Sequence, residues 1–108
     1  MIKTVEETNN CIRLINSMPY NQRISRGELS RATGLSDRIM RKTIELLRKD
    51  GEFIINNQSG GGYTRLEKTA ENEIKMMEWV KQEKSRAMKI IKNYMPVEYW
   101  LKNQRALF

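Results

Sequence analysis

The tightest constraint on how this chain folds is a glycine set between two helix-capping serines, in the pattern Ser25-x-x-Glu28 followed by Gly34-Leu35-Ser36. Serine followed three residues later by glutamate is a capping box, so a helix begins at Ser25. Gly34 ends that helix, because a residue without a Cβ takes the left-handed conformation at no steric cost. Ser36 then caps a second helix, with Leu35 alone between the glycine and the new cap. Helices joined this tightly cross at close range, and the small side chain of Ser30, one turn before Gly34, leaves room for the crossing. The second helix is predicted over 36–50, with Ile39, Met40, Ile44 and Leu47 on one face and Gly51 at its end.

The flanking segments complete a small domain. Val5, Cys11 or Ile12, Leu14 and Ile15 recur at helical spacing and predict a helix over 5–17, ended by Pro19. Ile24 stands as a lone apolar residue before Ser25. Residues 52–56 are β-prone, 57–61 are turn-rich, and 62–66 return as a second strand, so a hairpin is expected. Phe53, Ile55 and Tyr63 are expected to close the core. Thr69 is positioned to cap a last helix over 70–94, which Pro96 should stop. The expected fold class is therefore mainly α with a small β-hairpin (α+β). Residues 1–68 form the compact domain and 69–108 a C-terminal helical extension.

Composition removes several functions. The chain of 108 residues has no histidine and a single cysteine, Cys11. That leaves no plausible zinc or haem site and no His-activated nucleophile. No Gly-x4-Gly-Lys-Ser/Thr sequence occurs, and the glycines 60–62 lead into a strand rather than a helix. No enzymatic activity, cofactor or metal is expected. Cys11 lies in an apolar-periodic stretch and reads as a small core residue, which suits a reducing, cytoplasmic setting. The N-terminus is polar and lacks a signal-peptide apolar core, and the apolar runs are too short to span a membrane. The net charge of +7 favours an anionic partner, with nucleic acid the usual one.

The ordered set Leu29, Gly34-Leu35-Ser36, Met40, Ile44, Leu47-Arg48, Gly51 and Gly60-x-Gly62-Tyr63 resembles the winged helix-turn-helix of biotin-operon repressors and related bacterial regulators. The match covers 25–66, and the ligase domain that follows the wing in that family is missing. The resemblance implies double-stranded DNA as the partner and a bacterial or phage source. It also implies that the helix over 36–50 reads the major groove.

The residue chemistry agrees with that implication. With Met40, Ile44 and Leu47 turned inward, the outer face carries Asp37, Arg38, Arg41, Lys42, Glu45 and Arg48. Arginine bonds guanine O6 and N7 in a bidentate way. Ser36 leaves backbone N–H groups open at the helix start. Asp37 has two readings, as an acceptor from cytosine N4 or as a charge favouring the helix N-terminus. Gln58 and Ser59 at the hairpin tip, and Arg65 on the return strand, are candidate wing contacts. Arg26, with Arg23 and Arg31, is a candidate for the flanking backbone. The bland alternative for the basic face is a solvated, salt-bridged helix surface.

The extension asks for another role. Ile74, Met77, Lys81, Lys84, Met88, Ile91 and Met95 follow heptad spacing, but two lysines in the row argue against a continuous coiled coil. Two apolar patches separated by a charged middle fit better. The first, over 74–80, is expected to pack on the winged core. The second, with Tyr94, Tyr99 and Trp100, is expected to pair with another subunit, giving a homodimer, or to dock another partner. Three functions follow: a transcriptional regulator, a phage or plasmid replication protein binding an origin, or a winged module for protein interaction without DNA.

Overall fold

The computed structural model describes residues 3–57 and 61–106, with side chains through Gln104. The chain is mainly helical with a small antiparallel sheet, the α+β class expected. Two compact units divide it, Met1–Met76 and Met77–Phe108.

In the first unit, helix α1 (Val5–Asn16) starts on a capping box that the sequence reading did not single out. The Thr4 hydroxyl accepts from the Glu7 amide, and the Glu7 carboxylate accepts from the Thr4 amide, both at 3.0 Å. Helix α2 (Arg26–Thr33) starts at Ser25, whose hydroxyl accepts from the Glu28 amide at 3.2 Å. The sequence predicted a reciprocal box here, and only this half of it is formed among the described residues. Gly34 closes α2 at φ 72°. Helix α3 (Asp37–Lys49) follows with Ser36 as its cap, and its amphipathic inner face buries Met40, Thr43, Ile44, Leu46 and Leu47.

The lone Ile24 belongs to a short strand, β1 (Arg23–Ile24), so the predicted hairpin is the core of a three-stranded sheet. Strands β2 (Phe53–Asn56) and β3 (Tyr63–Leu66) pair antiparallel, and β1 pairs with the other edge of β3. Gly62 makes that arrangement possible. A Cβ there would lie 2.4 Å from the Ile24 carbonyl oxygen, and φ is +85°.

The core joins Cys11, Leu14 and Met18 with Leu29, Leu35, Met40, Ile44, Leu47, Ile54 and Tyr63. Two expectations change here. Ile54, rather than Phe53 or Ile55, is the β2 residue turned inward, because alternate strand residues face opposite ways. Phe53 is exposed, with the Lys68 ammonium 4.7 Å from its ring centre. Ile39 lies at the exposed edge of α3 rather than on the Met40 face.

The long helix α4 (Ala70–Ala106) begins where predicted: the Thr69 hydroxyl accepts from the Asn72 amide at 3.4 Å. Asn72 is buried and donates to the Asn21 side chain and the Glu67 carbonyl, both at 2.8 Å. Asn21 itself sits at φ 63°, a conformation asparagine tolerates. Pro96 does not stop the helix, which runs through it for ten further residues. The pyrrolidine ring holds a helical φ, so a proline costs one hydrogen bond and local crowding without forbidding continuation. Ile74 is mostly exposed and does not pack on the core as expected.

Candidate nucleic-acid interface

The turn between α2 and α3 is built by hydroxyls as well as by glycine. Ser30 Oγ donates to the Leu35 carbonyl at 2.6 Å. Thr33 Oγ1 donates to the Leu29 carbonyl at 2.7 Å and accepts from the Leu35 amide at 3.2 Å. Ser30 thus does more than leave space: it ties the start of α3 to the end of α2. Leu35, buried between them, locks the turn into the core.

This clamp fixes the outward face of α3. Ser36, Asp37, Arg38, Arg41 and Lys42 all lie on its exposed side. Asp37 and Arg41 form an i,i+4 ion pair at 2.8 Å with both side chains about half exposed. Such a pair is worth only a few tenths of a kcal/mol, roughly 0.3–0.5, so Arg41 can leave it for another anion at little cost. Asp37 is therefore a companion to Arg41 as well as a favourable charge at the helix start. Arg38 holds no ion pair or hydrogen bond among the described residues. The Lys42 charge lies close enough to α1 to help hold the Glu7 carboxyl below its ordinary value, behind the larger effect of the Thr4 cap.

Lys49 belongs to the same face and was not among the predicted contacts. At 100° per residue, positions 38, 42, 45 and 49 fall in one row along α3, and all four are exposed. The i, i+4, i+7 repeat along the helix is the sequence signal that marks it. Glu45 is the single acid in that row.

Other predicted contacts divide. Arg26 is exposed at the first position of α2, and Arg31 is exposed near its end. Arg23 is exposed and its Nε donates to the Gly61 carbonyl at 3.2 Å, just before β3. Gln58 and Ser59, the expected wing-tip contacts, lie outside the described residues.

Arg65 leaves the set. Its Nε donates to Glu52 at 3.1 Å, and its other nitrogens reach Glu52, the Tyr20 hydroxyl and the Met18 carbonyl. Its guanidinium also lies over the Tyr20 ring, 4.1 Å from the centre. With a side chain only 13% exposed, it is an internal brace between β3, Glu52 just before β2, and the α1–β1 connection. Arg48 likewise turns from the outer face to the sheet, donating to the Ile54 carbonyl at 2.8 Å and to Asn56 Oδ1 at 2.6 Å.

No protein-family model, characterised protein or solved structure matches the chain. The site stands on its own geometry: a tight turn pinned by hydrogen bonds, a helix with one face in the core, and an opposite face rich in unburied cations. Among the described residues, no group of acids and thiols is arranged to hold a metal ion. No helix there is long and apolar enough to cross a membrane.

Proposed function

We propose that the chain binds double-stranded DNA, with α3 lying in the major groove and Arg38, Arg41 and Lys42 meeting bases and phosphates. The observation that carries this reading is the uncommitted guanidinium of Arg38 on the outer face of a helix tied to α2 through the Ser30–Leu35 hydrogen bond. A structural arginine would be engaged as Arg65 and Arg48 are. Arg38 and Arg41 are the base-reading residues, since guanidinium matches guanine O6 and N7. Lys42, Lys49, Arg26 and Arg23 are the phosphate contacts, which set position rather than sequence.

The element order supports a winged helix-turn-helix of the biotin-operon repressor kind, in which the sheet serves as wing. With that reading go a role as a bacterial or phage transcription regulator, a cytoplasmic setting and the absence of enzymatic activity. The test is enrichment from random duplexes, read by sequencing, with binding then measured across salt concentrations. A palindromic consensus bound with a steep salt dependence is the expected result. Clustered direct repeats would instead favour origin binding in replication. Failure of any duplex to be retained at low salt would overturn the reading and leave a protein-interaction module.

A further inference from the structure

The second unit, Met77–Phe108, carries a row distinct from the lysine-interrupted one. Ala87, Ile90, Tyr94, Val97 and Leu101 are separated by alternating steps of three and four, the spacing of a coiled-coil seam. All five are exposed, with Ile90 and Val97 each 59% exposed, and together they make a contiguous apolar stripe rather than scattered single residues. Pro96 falls one step before Val97, on the side of α4 turned away from this row. Its missing N–H and its ring therefore leave the seam unbroken.

The charges beside the seam choose the occupant. Glu78 and Glu83 precede it, whereas Lys84, Arg86, Lys89 and Lys92 crowd its first half and Lys102 follows it. Parallel pairing of two such helices sets each cationic stretch against its own copy. Antiparallel pairing about the level of Lys92 removes that conflict. It packs Ile90 against Tyr94 of the partner subunit and the small Ala87 against Val97 of the partner subunit. In the same register Lys84 meets Glu98 of the partner subunit, Arg86 meets the ring of Trp100 of the partner subunit, and Asn93 meets its own copy. Glu98 holds Lys102 of its own helix at 2.9 Å, an exposed pair that a second cation joins at little cost. We infer that α4 is a self-recognition element, and that two copies of this chain associate through an antiparallel pair of helices along Ala87, Ile90, Tyr94, Val97 and Leu101. The inference does not depend on DNA binding.

The test uses the full chain. Sedimentation across a concentration series should give a dimer that dissociates on dilution, and Ile90→Glu should give a monomer. Asn93→Cys should form an inter-chain disulfide under mild oxidation, whereas Lys89→Cys, on the outer side of the helix, should not. Cys11 is buried and supplies no background. Lys84→Glu should weaken the dimer about tenfold, and adding Glu98→Lys should restore it. A chain that stays monomeric to high micromolar concentration overturns the inference. So does cross-linking at position 89 as readily as at 93, or a charge swap that fails to restore association, which would point to parallel pairing.

Discussion

At Gly62 two independent requirements fall on one residue: a positive φ and a backbone approach that leaves no room for a methyl group. Gly34 has the first requirement without the second, since nothing lies within 4 Å of a Cβ placed there. Gly34→Ala should therefore cost about 1–2 kcal/mol, the ordinary penalty of a left-handed non-glycine residue. Gly62→Ala should cost clearly more, because β1 must also separate from β3. Urea denaturation of both variants makes the comparison. Glu7 gives a pH dependence. Its hydrogen bonds to Thr4 hold its carboxyl below the ordinary value in the folded chain. It thus contributes stability above the unfolded carboxylate range, and that contribution fades as the pH falls through the lowered folded value. Thr4→Ala should remove this part of the acid sensitivity along with the cap, and thermal unfolding between neutral and acid pH would reveal it.

At the scale of elements, arginines of one strand and one helix differ in what they touch. Arg65 on β3 is almost enclosed and binds Glu52, Tyr20 and Met18. Arg65→Ala leaves the Glu52 carboxylate without its charged partner and should cost roughly 2–3 kcal/mol of stability. Any loss of DNA affinity it causes should track the loss of fold. On the DNA reading, Arg38→Ala on α3 should do the reverse: near-wild-type unfolding, with about 1–3 kcal/mol lost against the preferred duplex and a relaxed sequence preference. Parallel unfolding and binding curves separate the two. Ser30→Ala tests the clamp between the helices, since it removes the bond to the Leu35 carbonyl without adding volume. It should destabilise the fold by about 1 kcal/mol, measured by the same denaturation experiment.

For the whole molecule, the net charge of +7 becomes informative only once its cations are sorted. Arg65 and Arg48 are spent inside the fold, while Lys42 and Lys49 remain on the face of α3. On the DNA reading, Lys49→Ala should weaken binding evenly across sequences and reduce the salt slope by about 1, in titrations at several salt concentrations. A flat response would show that the last turn of α3 stands away from the phosphates.

The sequence alone determined the first three helices, the start of the fourth, both capping serines, the glycine turn and the pairing of β2 with β3, because each follows from interactions among residues near one another in the chain. It also drew the basic face of α3, since helical periodicity carries that information. It did not determine which of the candidate arginines stayed at the surface. The identity of Arg65 and Arg48 as braces depends on Glu52, Tyr20 and Ile54, brought close by folding rather than by sequence. The third strand is of the same kind: Ile24 is unremarkable until Gly62 lets β3 approach it. Pro96 marks the limit of local rules, since a strong helix-breaking signal lost to the continuing helix around it. Local chemistry chose the elements, and long-range contacts decided which of their charged side chains stayed available.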